Sequence, residues 1–195
     1  MGELFTSFEE AWSSFLAREE PLENFYEQFP EDQDVVLEGW VIEPSAQVKE
    51  AATHLQAAMS HLDWLVSVPD HFLHVWIGSV ERIDDAWRQW PEIETFPAAY
   101  RRVNCFHAAV VVEVEGCLRP LVTVTPNDIP ALLPHMTVAI TKEAGPAAEL
   151  RDALLPLRNT NLGAETIREV KRVRFPAARS SLLRPWTVEQ VVPLA

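Results

Sequence analysis

Two short segments of this 195-residue chain each combine a histidine with the alternating pattern of a β-strand. The first segment reads LHVWIGS around His74, and the second reads PHMTVAI around His135. Residues i and i+2 of a strand face the same side, so His135 and Thr137 share one face while Met136 and Val138 point into a core. An imidazole that titrates near neutral pH can move protons in general acid-base catalysis. Two such histidines on facing strands, with the Thr137 hydroxyl beside one of them, predict acid-base cleavage of a phosphodiester.

The order of these motifs along the chain resembles the 2H phosphoesterase superfamily, which includes bacterial 2'-5' RNA ligase-like proteins and RNA 2',3'-cyclic phosphodiesterases. The resemblance extends from about Val35 to Leu194. It is carried by LHVWIGSV at His74, by PHMTVAI at His135 and by the closing pattern VKRVRFPAARSSLLRPWTVEQVVPL. The resemblance implies an α+β, bilobal 2H phosphoesterase-like fold, in which two antiparallel sheets line a central cleft and the helices lie outside.

Two positions depart from the pattern of that superfamily. Trp76 stands two residues after the first histidine, where the superfamily usually has Thr or Ser. Ile140 replaces a basic residue that often follows the second motif, and Lys142 comes two positions later. Trp76 is interpreted in three ways: as core packing, as a platform on which a base stacks, or as a plug that closes the pocket. We expect Trp76 and Lys142 to be substrate-binding residues.

The resemblance implies a mechanism in which His74, His135 and Thr137 are the catalytic residues. One neutral histidine takes a proton from water as the water attacks a 2',3'-cyclic phosphate, and the other, as an imidazolium, protonates the departing ribose oxygen. The usual product is a 2'-phosphomonoester, and either histidine could be the base. Thr137 and Lys142 would hydrogen-bond the developing negative charge. We expect neither a metal nor an organic cofactor.

A second hypothesis is a catalytically weakened module that binds nucleotides or RNA ends, or an interaction protein that uses its acidic face. Trp76 and Ile140 favour this second hypothesis, whereas His74, His135 and Thr137 favour the enzyme. Turnover of a cyclic nucleotide discriminates between the two.

Charge is distributed unevenly along the chain. Residues 1–100 hold 20 acidic and 4 basic side chains, whereas residues 101–195 hold 9 acidic and 12 basic ones. The C-terminal half is therefore expected to bind anions through part of its Lys and Arg cluster between Arg168 and Arg184. The formal net charge of −13 argues against long duplex nucleic acid, whose binding requires many neutralised phosphates. We expect a nucleotide or a short RNA end as the partner.

The first 34 residues are predicted to be an acidic, helical extension that precedes a 2H phosphoesterase-like domain spanning residues 35–195. The extension contains ten acidic side chains and one basic side chain. Its aromatic residues recur at helical spacing between Phe5 and Arg18, which predicts an amphipathic helix that must pack somewhere. Two interpretations are open: the helix completes the core, or its carboxylates lie near the cleft and compete with substrate phosphate.

The rest of the sequence predicts further strands and helices, and its composition predicts the cellular compartment. Ser45 is expected to cap a helix that runs through Met59, and residues 146–157 are expected to form another. Strands are predicted at 35–42, 65–68, 106–115, 118–125, 166–175 and 186–192, a short helix at 84–90, and irregular backbone around Pro91 and Pro97. No apolar run is long enough to cross a bilayer, and only two cysteines occur, which favours the cytoplasm. The oligomeric state is left open.

Overall fold

A computed structural model describes residues 5–31, 35–80, 94–116 and 133–195. Three α-helices lie within these ranges: α1 (Phe8–Ala17), α2 (Ala46–Ala58) and α3 (Ala147–Leu154). The strands are β1 (Val36–Ile42), β2 (Leu65–Ser67), β3 (Val75–Ser79), β4 (Phe96–Phe106), β5 (Ala109–Gly116), β6 (His135–Thr141), β7 (Asn161–Ile167), β8 (Glu169–Pro176) and β9 (Thr187–Pro193).

The sheet has two antiparallel halves that meet at a single residue pair. The order β7-β4-β5-β6 forms one half, to which β2 adds beside β6, and the order β3-β1-β8-β9 forms the other. Val75 of β3 pairs with Met136 of β6, and this pair joins the halves. The histidine motifs therefore lie at the junction of the two halves. This architecture confirms the predicted α+β fold.

Local sequence explains why the helices begin where they do and which faces they bury. Ser45 accepts a hydrogen bond from the backbone N–H of Val48, so it is the N-cap that the sequence predicted for α2. Val48, Ala52 and Leu55 then recur at helical spacing and are buried. The predicted helix at 146–157 is also confirmed, because α3 continues as a 3-10 turn to Leu157.

Strand β4 is the main difference from the sequence-based expectation. Irregular backbone was predicted around Pro97, but Pro97 is the second residue of an eleven-residue strand. A proline is tolerated there because its missing N–H costs little at the start of a strand. The expectation of one strand at 166–175 was also wrong in part, because the chain forms β7 and β8 on either side of Arg168. The predicted strand at 118–125 and helix at 84–90 lie outside the described residues.

The N-terminal segment, residues 5–31, packs into the same core as the sheet. Phe15 of α1 and Leu22 are buried, and Leu22 forms an isolated antiparallel bridge with Gly145. Ser7 caps α1 by accepting from the backbone N–H of Glu10, which confirms the predicted amphipathic helix. The boundary proposed at residue 34 thus separates a segment and a sheet that share one hydrophobic core.

Among the helices of the described ranges, none combines the length and apolar character that crossing a membrane requires.

Candidate functional site

The register between β3 and β6 brings the two motifs together. His74 immediately precedes β3, and His135 is the first residue of β6. Val75 pairs with Met136 in antiparallel sense, so His74 lies next to Thr137 and Trp76 lies next to His135. Side chains alternate along a strand, which places these four side chains on one face of the sheet.

Both histidines are held by the same local hydrogen bond. The Nδ1 of His74 lies 2.7 Å from the carbonyl oxygen of Phe72, and the Nδ1 of His135 lies 2.6 Å from that of Leu133. A carbonyl oxygen only accepts, so each Nδ1 carries the proton and donates it. The Nε2 of each ring is then left with its lone pair in the neutral state. That atom is the one available for proton transfer.

Burial favours the neutral form of both imidazoles. Burial lowers the pKa of His74 to about 4, against the opposing effect of the hydrogen bond to Phe72, and the charge of His135 lowers it further. Burial also lowers the pKa of His135, and the Leu133 carbonyl partly opposes this shift. The effect of His135 on His74 means that the two rings are close enough for protonation of one to disfavour protonation of the other.

The depressed pKa of His74 predicts that the fold loses stability in mild acid. An unfolded histidine takes up a proton near pH 6.5, whereas folded His74 does so near pH 4. Between these values the unfolded chain binds more protons, so the free energy of unfolding falls by at most about 3 kcal/mol as the pH drops from 6.5 to 4. Thermal melts of the wild type and of His74→Asn across this range should show a shallower dependence of stability on pH for the variant.

A cavity of about 320 Å³ opens beside His74 and Thr137, which are its two polar lining residues in the described part of the chain. Five of the other described lining residues are aliphatic, and none is Lys or Arg. His135 is not part of the lining, although it shares a face of β6 with Thr137. The cavity therefore adjoins the histidine pair on the His74 side. Its remaining described lining is aromatic: Phe25, Phe29, Phe72, Trp76 and Phe175.

Trp76 lies across the neighbouring strand and is also exposed to the cavity. Its indole covers Gly39 of β1 so closely that a Cβ at position 39 would overlap the ring. It meets Phe175 edge-on at 5.7 Å between ring centroids and His74 at 6.4 Å. Its ring therefore packs on the sheet and forms part of the cavity surface at the same time, and no Thr or Ser hydroxyl stands beside His74 on β3.

Replacing Trp76 with threonine should therefore change both stability and function. Loss of the indole leaves Gly39 uncovered, and we expect the free energy of unfolding to fall by at most about 3 kcal/mol, because Trp76 is partly buried and fully buried aromatic residues lose about 3 to 5 kcal/mol on truncation. The hydroxyl restored beside His74 should raise kcat for a cyclic phosphate, whereas the affinity for a base-bearing ligand should fall. Urea melts and steady-state kinetics measure the two effects separately. An unchanged kcat with reduced stability would identify Trp76 as packing alone.

Lys142 is not brought to this cavity. It is exposed and lies just beyond the far end of β6 from His135, where its backbone N–H donates to the carbonyl of Trp64. The strand between His135 and Thr141 spans about 20 Å at 3.3 Å per residue. Lys142 therefore lies far along the strand from His135 and Thr137, and it is not among the described lining residues, although Ile140, two positions before it, is.

Several basic side chains of the C-terminal half are paired with acidic residues of the N-terminal half. Lys171 bonds Glu43 at 2.6 Å, and Arg172 bonds Glu38 at 2.9 Å. Arg179 bonds Glu31 at 3.1 Å. These contacts join the two oppositely charged parts of the chain and leave the described cavity lining without a cation.

A buried ion-pair network lies beside His135 and was not anticipated from the sequence. Glu113, which is fully buried, is the cross-strand neighbour of His135 and pairs with Arg102 and Arg158. Arg102 has a positive φ of 60° at a bulge in β4, which explains how its side chain leaves the regular strand direction. Arg102 also bonds Glu9 of α1 at 2.8 Å. The network ties the N-terminal segment to the strand beside His135.

Phe25 and Phe29 are the second group of residues at the site that sequence reasoning missed. Both lie in the N-terminal segment, outside the part of the chain that carries the family resemblance. No motif marks them. Their place at the cavity follows from tertiary packing, and only the need of an aromatic segment to bury itself could have indicated it.

No protein-family model matches the sequence, and no curated protein matches it. Solved structures, in contrast, share its fold. TT0787 of Thermus thermophilus superimposes with a TM-score of 0.60 at 16% identity, covering 81% of this chain and 97% of that chain. Escherichia coli LigT complexed with 3'-AMP superimposes with a TM-score of 0.57 at 13% identity, covering 90% and 99%. A structure described as a phosphoesterase reaches 0.56 at 14% identity, covering 82% and 98%. This chain therefore has the 2H phosphoesterase-like fold of LigT, as its two histidine motifs predicted.

Proposed function

We propose that this protein is a phosphoesterase that opens a cyclic phosphate, or cleaves a phosphodiester, of a nucleotide or an RNA end by metal-free acid-base catalysis with two histidines. His74 and His135 exchange the protons, and Thr137 orients a phosphate oxygen. The likeness of the fold to LigT, one structure of which is complexed with 3'-AMP, supports a nucleotide as the ligand.

One observation carries the proposal. His74 and His135 make the same hydrogen bond, from Nδ1 to the carbonyl oxygen two residues earlier, on the two strands that meet at the junction of the sheet halves. Structural histidines have no reason to repeat one geometry in two separate motifs, whereas a pair of proton-transfer groups needs a fixed tautomer on each side of the substrate. The matched geometry leaves Nε2 available on both rings.

The reaction then balances without a further reagent. Water attacks phosphorus while the neutral histidine takes its proton at Nε2, and a bond forms between the water oxygen and phosphorus. The bond between phosphorus and one ribose oxygen breaks, and the protonated histidine gives its proton to that oxygen. The product is a phosphomonoester, and the two histidines have exchanged roles. Each positioned proton transfer typically contributes about 10²- to 10⁴-fold in rate.

Because burial favours the neutral form of both histidines, the bound substrate must itself favour protonation of one of them. The mechanism needs one imidazolium, but burial lowers the pKa of both rings. A bound phosphodiester carries a negative charge, and a negative charge within about 4 to 6 Å favours the imidazolium. We therefore expect the substrate itself to raise the pKa of one histidine as it binds.

Hydrolysis of adenosine 2',3'-cyclic phosphate by the purified protein tests the proposal. Phosphomonoester formation should be seen in wild type, should persist in EDTA, and should be slower by at least about 100-fold in a His74→Asn/His135→Asn double variant purified alongside. Loss of activity on chelation, restored by zinc or magnesium, would refute the metal-free mechanism.

A second candidate function is binding of a nucleotide or RNA end without turnover. Trp76, in the position where the superfamily usually has a hydroxyl, and the apolar cavity beside it favour this candidate. In that case the same assay yields no product, while calorimetry detects binding of the cyclic nucleotide to both wild type and the double variant.

A further inference from the structure

One wall of the cavity is built by residues that precede the first strand. Phe25 and Phe29, at the start and just beyond the end of the 3-10 turn Phe25–Gln28, line the same space as His74 and Thr137. Their rings also contact each other, with centroids 5.6 Å apart. The N-terminal segment thus reaches the candidate site with aromatic side chains, not with its carboxylates.

This wall is held to the rest of the fold at three points. Leu22 and Gly145 exchange backbone hydrogen bonds of 2.8 and 3.2 Å. The backbone N–H of Phe25 donates to the hydroxyl of Thr141, and the guanidinium of Arg179 donates to the carbonyl of Phe29. Because both phenylalanines are held by their own backbone, the wall is a fixed part of the cavity.

The cavity lining suits an uncharged part of a ligand, whereas the charged phosphoryl part must bind elsewhere in the site. An unpaired charge is strongly disfavoured in apolar surroundings, and none of the described lining residues is Lys or Arg. The phosphoryl group of a substrate therefore belongs at the edge of the cavity, where His74 and Thr137 stand and His135 flanks them. The interior is suited to an uncharged group attached to that phosphodiester.

The aromatic content and the size of the cavity identify that uncharged group. Five of its twelve described lining residues are aromatic, and aromatic side chains stack on flat rings of any identity. Its volume of about 320 Å³ is at the low end of small-molecule sites, which hold about 300 to 1,000 Å³. With His74 and Thr137 engaged at the phosphate, the indole N–H of Trp76 is the one side-chain hydrogen-bonding group left among the described lining residues to meet the edge of a base.

We propose that Phe25 and Phe29 are specificity-determining residues that select phosphodiesters bearing an uncharged aromatic ring, with little regard to which base that ring is. This inference rests on the proposed phosphoesterase function and assigns the N-terminal segment a direct part in it. Cyclic phosphates of purine and of pyrimidine nucleosides are both substrates, the larger aromatic ring is favoured, and a cyclic phosphate without an aromatic ring is a poor substrate.

Two substrates with the same reacting group test this assignment. Adenosine 2',3'-cyclic phosphate carries a ring, whereas glycerol 1,2-cyclic phosphate does not. The wild type should show a higher kcat/KM for the adenosine compound, and Phe25→Ala/Phe29→Ala should reduce this preference about 10-fold or more by raising KM for the adenosine compound alone. Tyr26→Ala, a neighbouring aromatic that does not line the cavity, is the matched control and should leave the preference unchanged. Phe29→Trp should retain the preference.

A preference that is the same in wild type, in the double variant and in Tyr26→Ala would overturn the assignment, as would an equal loss on both substrates. A binding measurement keeps this outcome separate from failure of the proposed reaction. Calorimetry with adenosine 2'-monophosphate and glycerol 2-phosphate requires no turnover. If neither cyclic phosphate is hydrolysed but the double variant binds only the adenosine compound more weakly, the role of Phe25 and Phe29 in specificity is supported and the phosphoesterase proposal fails. Unchanged binding of both compounds would refute the role of Phe25 and Phe29 in specificity.

Discussion

Replacing His74 or His135 with asparagine is expected to lower kcat/KM for adenosine 2',3'-cyclic phosphate by about 100- to 10,000-fold, because each variant removes one proton transfer. Asparagine is the sharper choice over alanine. Its amide N–H can still donate to the carbonyl of Phe72 or Leu133, so the local backbone contact is kept while Nε2 is lost. The double variant should be only slightly less active than either single variant, since the two residues act as one unit.

The exposed His54 on α2 provides the control for this series. His54→Asn should retain wild-type kinetics and stability. Thermal melts of the wild type and the four variants would separate a catalytic loss from a folding defect. A loss confined to one of the two motif histidines would contradict a shared mechanism, and so would equal activity of the double variant and the wild type.

The two motifs were predictable because their information is local. Alternation along PHMTVAI is enough to place His135 and Thr137 on one face, and the structure has Met136 and Val138 buried on the other. The junction of β3 and β6 required the family resemblance, because nothing within either segment specifies its partner. The matched hydrogen bonds to Phe72 and Leu133 depend on backbone geometry before each strand, which the letters do not encode.

Tertiary contacts decide what the sequence left open. The indole of Trp76 lies on Gly39, thirty-seven positions earlier, and the absence of a side chain there is what makes room for it. In the sequence alone, the C-terminal cluster of Lys and Arg residues is suited to binding phosphate. In the fold, Lys171 pairs with Glu43, just beyond β1, and Arg172 pairs with Glu38 on β1. Antiparallel pairing of β8 with β1 brings these residues together.

The pairing of charges also changes the expected electrostatics of substrate binding. A bound phosphate would be stabilised by the hydrogen-bond donors at the site and by an imidazolium, not by free lysine or arginine in the described lining. Affinity should accordingly depend weakly on salt.

Deletion of residues 1–31 should leave most of the protein molecules unfolded. The deletion strips Phe15 and Leu22 from the core, and each is buried to at least 96% of its surface. Truncation of such residues to alanine alone costs about 3 to 5 kcal/mol for phenylalanine and about 2 to 5 kcal/mol for leucine. Total stabilities of domains are about 5 to 15 kcal/mol, so removing both residues together with α1 exhausts most of this stability. Chemical denaturation of the single variants Phe15→Ala and Leu22→Ala gives the graded form of the same prediction.

The exposed Leu155 supplies the matched control, because Leu155→Ala should change stability by no more than about 0.5 kcal/mol. The competing interpretation, in which the acidic segment shields the site from phosphate, makes the opposite forecast. It requires a folded truncated protein that binds nucleotide more tightly than the full chain, with the largest gain at low salt, where screening is weakest. The contacts of Glu9 with Arg102 and of Glu31 with Arg179 hold these carboxylates on cations outside the described cavity lining. Binding constants of full-length protein and of Phe15→Ala should therefore respond equally to salt, and a salt-dependent gain in the variant would show that the segment acts as an electrostatic shield.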